Sequence, residues 1–328
     1  MIDILRGSWR ILKIKIGYRV PLKVVYYVSY NCNLKCSFCE RRTRQSKELT
    51  TDQVKKCMRE FKGLGTVGWS FSGGEALLRE DISDLIKYAR KQGFKCNLVS
   101  NAWFIPEKID IVEELDSIVI SLDGPKEIHD AIRGKGSYDR VITSLELLKD
   151  RKPTVIINTV LNKTNLDSLD EILEIIEKYN CGWEIQPVFC QSKKENDNAI
   201  KYFTSQQDIS EAINWLQEQK LKGKRILRSD EVLNSIKKTD YHTLPDCYAA
   251  RAFFILSPDG RLLPCARFLP ESAEYPSVLE NGVKNAINQL PDMSKCRQCM
   301  LCCYLEYNYA LHYLVRTGIR YLKNQIRG

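Results

Sequence analysis

Between residues 23 and 190, short β-type runs alternate with stretches of helical periodicity, and this alternation limits the fold more than any other feature of the chain. Strands are predicted over Val24–Val28, Val67–Phe71, Lys95–Val99, Ser117–Ser121, Val155–Val160 and Trp183–Val188. Between them, Thr51–Phe61, Ile82–Lys91, Ile109–Leu115, Arg140–Leu148 and Leu169–Lys178 repeat apolar residues at helical spacing, with Asp81, Ser137 and Asn165 expected as caps. Strands alternating with helices imply βαβ units and a parallel sheet. Six units predict an α/β partial (β/α)6 TIM-type barrel, because a full eight-unit barrel needs about 250 residues.

Ligands of parallel α/β sheets bind at the carboxyl ends of the strands, where the chemically capable residues of this chain fall. Cys32-Asn-Leu-Lys-Cys36-Ser-Phe-Cys39 follows the first strand, Ser72-Gly73-Gly74-Glu75 the second, Ser100-Asn101 the third, and Ser121-Leu-Asp123-Gly124 ends the fourth. Three thiolates spaced C-x3-C-x2-C suit an iron–sulfur cluster with one ligand missing, since a complete protein-held [4Fe–4S] set takes four. Taken alone, the cysteine spacing also fits a zinc site, Gly-Gly-Glu is a common turn, and the fourth stretch reads as a strand end with a helix cap.

In combination and in this order, the motifs resemble the radical S-adenosylmethionine (radical SAM) superfamily over nearly the whole chain. The resemblance implies that Cys32, Cys36 and Cys39 hold a [4Fe–4S] cluster, with Phe38 at the loop's aromatic position. Ser72-Gly73-Gly74-Glu75 matches the turn that hydrogen-bonds the SAM amino group. Ala76 stands where proline is more usual. A longer stretch, Ser121-Leu-Asp-Gly-Pro-Lys-Glu-Ile-His129-Asp130-Ala-Ile-Arg133-Gly134-Lys-Gly136-Ser137-Tyr138, matches one branch of the superfamily. There the positions of Ser121 and Arg133 approach the SAM carboxylate, and that of Asn101 lies near SAM. His129 is expected to be a structural partner of the following loop. The implied reaction is reductive cleavage of SAM to a 5′-deoxyadenosyl radical, which takes hydrogen from an unactivated C–H. The electron comes from a reductant such as a flavodoxin or ferredoxin.

A second cysteine set lies downstream. Cys247 and Cys265 are spaced C-x17-C with an internal G-x4-C from Gly260, and Cys296, Cys299, Cys302 and Cys303 follow. This is similar to the SPASM and twitch modules that carry auxiliary clusters behind radical SAM barrels. A full SPASM module needs further cysteines, and none follows Cys303, so one auxiliary [4Fe–4S] cluster is expected. Its ligands would be Cys247, Cys265, Cys296 and Cys299, with Cys302 or Cys303 as spare or replacement. Four protein ligands would favour an electron relay over substrate chelation. A four-cysteine zinc knuckle is the alternative. Cys57, Cys96, Cys181 and Cys190 read as small buried hydrophobes, with a redox role for Cys190 as the lesser alternative.

These features divide the chain into a basic N-terminal segment (1–22), the barrel (23–205), a helical linker (206–246), a loop-rich auxiliary module (247–303) and a basic C-terminal helix (304–328). No apolar run reaches the roughly 20 residues of a membrane span, and no signal peptide is recognisable, so a cytosolic protein with reduced thiols is expected. Thirteen cysteines then point to metal ligation, and three histidines leave little for imidazole chemistry.

The formal charge of +9 is concentrated at the ends. Residues 1–23 carry Arg6, Arg10, Lys13, Lys15, Arg19 and Lys23 against Asp3, a net +5, and residues 304–328 carry a net +3. A nucleic-acid binder would not confine its charge in this way. Ile2, Leu5, Trp9, Leu12 and Ile16 recur at helical spacing, as do Leu311, Val315, Ile319, Leu322 and Ile326, each stripe beside a basic one. Both helices are expected to pack on the barrel or on each other, and peripheral contact with an anionic membrane is the alternative. Leu12–Ile16 also alternates as a strand would.

Residues 1–23 are too few for the leader-binding domain of many peptide-modifying relatives. A small-molecule or lipid-linked substrate is therefore expected before a peptide. Outside enzymology, a non-catalytic iron–sulfur or zinc scaffold is the alternative, but a scaffold has no need of Glu75, Ser121 and Arg133.

Overall fold

The computed structural model describes residues 2–39, 44, 46–188, 200–238, 244–297, 299 and 301–313. Six parallel strands follow one another in chain order: β1 (Lys23–Tyr27), β2 (Gly68–Ser72), β3 (Lys95–Ser100), β4 (Ser117–Ser121), β5 (Thr154–Leu161) and β6 (Gly182–Pro187). Each predicted strand is present, with bounds moved by no more than one residue at either end. On the other side of β1 lies β7 (Phe253–Leu256), parallel to it, and antiparallel β8 (Leu262–Leu263) ends the sheet. The eight strands run β6-β5-β4-β3-β2-β1-β7-β8 and do not close. The cysteine-rich C-terminal region thus shares a sheet with the barrel, which the sequence did not foretell.

Helices α1 (Ile2–Lys15), α2 (Thr51–Gly63), α3 (Ile82–Lys91), α4 (Ile109–Val112), α5 (Lys126–Arg133), α6 (Ser137–Leu148) and α7 (Leu169–Lys178) belong to or precede the βα repeats. Val54, Cys57, Met58 and Phe61 of α2 recur at i, i+3, i+4 and i+7, and all are buried. Phe61 and Phe94 enclose the buried Trp69 with centroids 5.8 and 5.5 Å away. Rings of this size contribute roughly 1.5–3 kcal/mol each on burial.

Three expected caps are not caps. Asp81 makes no cap bond and instead holds Arg79 and Thr51. Ser137 lies inside α6 and its hydroxyl donates to Asp130. Asn165 donates to the carbonyls of Asp123 and Val160. A short polar side chain near a helix start finds a tertiary partner as readily as a local N–H. The working cap of α2 is Thr50, in a reciprocal capping box with Gln53. The helix predicted to Leu115 ends at Val112, and α5 was not predicted as a separate helix.

After β6 come α8 (Gln206–Leu221), α9 (Asp230–Lys237), α10 (Val278–Gln289) and a helix over 302–313, α11. Ile226 bridges to Trp183 on the exposed edge of β6, which carries Arg228 toward the barrel interior. α11 ties the two flanks together. Tyr304 packs on Phe253 of β7 with ring centroids 4.6 Å apart, Lys23 Nζ donates to Tyr307 at 2.8 Å, and Glu306 accepts from Ser229 N at 2.6 Å.

α1 is helical through the segment that also alternates as a strand, and it packs through Ile11 and Ile14. The stripe picked out by periodicity points the other way: Trp9, Leu12 and Ile16 are exposed. Cys57, Cys96 and Cys181 are buried as expected. Cys190, most of the polar stretch before α8, and Val315, Ile319, Leu322 and Ile326 lie outside the described residues. No described helix is long and apolar enough to cross a membrane.

Candidate active site

A cavity of about 700 Å³ occupies the barrel interior. Cys32, Cys36, Phe38 and Cys39 line its upper rim together with Ser72, Gly73, Gly74, Asn101, Ser121 and Arg133. Of the residues expected to hold the cluster or SAM, Glu75 alone does not line it.

The cysteine loop lies where it does because the turn after β2 has no side chains. A Cβ on Gly73 would come within 2.3 Å of Ser29 O, and one on Gly74 within 2.0 Å of Asn31 O. With glycine at both, Gly74 N donates to Ser29 O at 2.8 Å and Glu75 N to Asn31 O at 2.9 Å. Glu75 is fully buried and faces away from the cavity. Its carboxylate accepts from Leu77 N (3.1 Å), Ser100 Oγ (2.9 Å) and Asn101 N (2.8 Å). Burial raises its pKa, and those donors pull it back. With three protein donors on it, Glu75 clamps the end of β2 to that of β3. Asn101, held there, donates to Asn33 Oδ1 at 2.9 Å and reaches Cys32 Sγ at 3.7 Å.

On the opposite rim, Arg133 Nε donates to buried Asp123 at 2.6 Å, and Nη1 lies 4.0 Å from Cys36 Sγ. Its guanidinium stands 5.9 Å from the Phe38 ring centroid. Burial works against the Arg133 charge, but Asp123 and the Cys36 sulfur outweigh it and its pKa is raised. Asp123 is itself fixed by accepting from Val160 N at 2.9 Å. His129 accepts from Asp123 N at 3.1 Å through Nδ1, so it supports the preceding turn rather than the following loop. Burial, helped by Arg133, lowers its pKa to about 4 and keeps it neutral.

Burial pushes the Cys36 thiol up to about 11, against the pull of Arg133, and raises that of Cys32. Ligation requires the thiolate, so filling this site would release protons. Among the described residues, no three His, Cys, Asp or Glu side chains converge on one point as they would around a single ion. A cluster presents its irons at separate corners, so its thiolates need not converge. The donor set of three cavity-lining cysteines, with Arg133 beside the Cys36 sulfur and the Phe38 ring, fits an anionic cluster better than a bare cation.

The lower cavity wall holds residues that the motifs did not reveal, Lys23, Asn158, Glu184, Gln186, Arg228, Glu306 and Tyr307, together with Cys303 of the second cysteine set. Arg228 pairs with Glu184 at 3.0 Å. Burial opposes the Lys23 charge, yet Tyr307, Cys303 and Glu184 outweigh it and its pKa is raised. One signal was available: Glu184 interrupts an apolar strand, and charge at alternate positions of a barrel strand marks the interior.

The second cysteine set is drawn from distant parts of the chain. The thiols of Cys247 and Cys296 hydrogen-bond, and Cys265 and Cys299 act on Cys247 electrostatically. Cys303 acts on both Cys265 and Cys299. Cys302 is wholly buried beside Arg228, whereas Cys303 faces the cavity. Burial raises the Cys265 and Cys302 thiols to about 12.

The model of the radical SAM superfamily matches residues 26–176. Among solved structures, Streptococcus suis SuiB bound to S-adenosylmethionine superposes with a TM-score of 0.66 at 19% identity, over 81% of this chain and 65% of its own. SuiB bound to the precursor peptide SuiA gives 0.69 at 18%, over 90% and 71%. Native anSMEcpe with bound AdoMet and Cp18Cys peptide gives 0.65 at 20%, over 82% and 80%. The chain thus spans less than two thirds of the length of SAM-bound SuiB, and at these identities the likeness is one of fold.

Proposed function

The chain belongs to the radical SAM superfamily, and on that premise we propose that it is an enzyme that abstracts hydrogen from a polar substrate held in the barrel cavity. Membership brings a [4Fe–4S] cluster and S-adenosylmethionine as cofactors. Cys32, Cys36 and Cys39 hold the cluster, and Ser121 and Arg133 receive the SAM carboxylate. The Gly73-Gly74 backbone borders the SAM amino group, with Asn101 alongside. Glu75 acts at one remove, by keeping Asn101 and the glycine turn in position. When bound, the reduced cluster and SAM supply a 5′-deoxyadenosyl radical able to attack an unactivated C–H. The protein's own part is positioning and exclusion of water.

One observation carries this reading: the three loop sulfurs, Ser121 and Arg133 border the same cavity. Anaerobic reconstitution with iron and sulfide, followed by dithionite and SAM, should yield 5′-deoxyadenosine. A reconstituted protein that forms none refutes it.

The substrate class follows from the lower wall. An alkyl chain pressed against Lys23, Glu184 and Arg228 would take water from charges whose hydrogen-bonding capacity the Arg228–Glu184 pair and the Lys23–Tyr307 bond leave partly unfilled. We therefore favour a substrate that brings hydrogen-bonding groups to this wall, either a peptide or a polar small molecule. The peptide-bound neighbours support the former. A lipid-linked substrate is compatible only if its polar part enters the cavity. We assign the second cysteine set to one auxiliary cluster on Cys247, Cys265, Cys296 and Cys299, within a module over 247–303. Of Cys302 and Cys303, we take Cys303 as the candidate fifth ligand, because it acts on Cys265 as well as on Cys299, whereas Cys302 acts on Cys299.

A further inference from the structure

We propose that α1 is a docking face for anionic lipid bilayers, independently of what the enzyme acts on. The observation is an inversion. An amphipathic helix in a globular protein normally turns its apolar stripe inward, and α1 buries Ile14 on a different side. Trp9 (57% exposed) and Leu12 (48%) on α1 align at i and i+3 with Ile16 (63%) in the turn that follows the helix, and Tyr18 (61%) lies just beyond. Lys13 borders that stripe, its Nζ 5.5 Å from the Trp9 ring, and Lys15 lies on the helix beyond it, 4.9 Å from the ring of Tyr248.

Lys23 lines the cavity and Arg19 donates to the carbonyls of Ile287 and Leu290, but residues 1–18 still carry a net +3, while residues 24–303 are close to neutral at +1 out of the chain's +9. An exposed aromatic-aliphatic stripe flanked by cations complements a surface that is apolar a few ångströms deep and anionic at its face. A second copy of the chain would bring the same positive charge to this face and be repelled. Tyr248, which carries Lys15 on its ring, also donates its N–H to Asn308 of α11. α11 leads into residues 314–328, which add Arg316, Arg320, Lys323 and Arg327.

The test is co-sedimentation of the anaerobic holoenzyme with vesicles of 3:1 phosphatidylcholine to phosphatidylglycerol, against phosphatidylcholine alone, at low and high salt. Binding to the anionic vesicles that weakens with salt is expected. The exposed-site variant W9S/L12S/I16S should lower partitioning about 30-fold or more, given the apolar area removed. K13E/K15E should lower it about tenfold on anionic vesicles only. Thermal melting and 5′-deoxyadenosine formation, both expected to be unchanged, verify that the variants fold. Absence of vesicle binding, or equal binding by W9S/L12S/I16S, overturns the proposal. So does a dimer that this variant dissociates without any vesicle binding, since the stripe would then join two copies.

Discussion

The two cysteine sets of this chain differ in how they are assembled. Cys32, Cys36 and Cys39 lie within one eight-residue loop, and the backbone of a neighbouring turn presses that loop into place. Cys247, Cys265 and the stretch with Cys296, Cys299 and Cys303 come from three separate segments and meet only because β7, β8 and α11 pack on the barrel. The first set opens onto the cavity, while the second, apart from Cys303, is turned away from it. A local motif presents an open site; a long-range assembly encloses one.

The strongest test of that contrast is the Cys32/Cys36/Cys39→Ala variant. It should lose 5′-deoxyadenosine formation entirely yet retain about half of the iron, by iron and sulfide determination, if each set holds one cluster of equal size. Loss of all the iron would mean that the second set does not form on its own.

Next in size is Arg133→Gln. Removing one partner of the Arg133–Asp123 pair strands a buried carboxylate, and about 3–5 kcal/mol of stability should be lost in denaturant titrations. Adding Asp123→Asn should recover much of that stability without recovering SAM binding. Recovery of both would reduce Arg133 to a structural role.

The same corner should give the protein a pH dependence. His129 titrates at about 4 when folded and near 6.5 when unfolded, so the unfolded chain binds the extra proton between those values. Stability should therefore be complete above pH 6.5 and fall by up to about 3 kcal/mol as pH drops toward 4. His129→Gln should flatten that slope in acid titrations; an unchanged slope would assign it elsewhere.

Gly74→Ala comes next. Its Cβ would force the turn off the cysteine loop at a cost of about 1–3 kcal/mol, with weaker iron retention in the first set alone. The smallest effect should separate Cys302→Ser from Cys303→Ser: only the latter is expected to alter the visible spectrum of the second centre. An altered spectrum in Cys302→Ser instead would reverse the choice of fifth ligand.

Much of this molecule was legible because its signals are local. Strand period, glycine turns and C-x3-C-x2-C each occupy a handful of consecutive residues, and parallel sheets present such motifs at strand ends. The failures share a different cause. Glu75 follows the glycine turn, but its carboxylate also accepts from Leu77 N two residues on and from Ser100 and Asn101 at the end of β3, partners that no local pattern announces. Asp81, Ser137 and Asn165 look like caps until Arg79, Asp130 and Asp123 compete for them. For α1, periodicity identified an apolar stripe without indicating which side the barrel would occupy.

The amino-acid sequence by itself determined the repeating βα architecture, the incomplete set of three sulfurs and the basic ends, because each depends on neighbours within a turn or two of chain. Tertiary structure alone decided that the C-terminal strand would extend the barrel sheet, and that Cys303 rather than Cys302 would face the cavity. It also decided that Lys23, Glu184 and Arg228 would form one wall. Those outcomes depend on which distant surfaces bury one another, and no pattern along the chain carries that information.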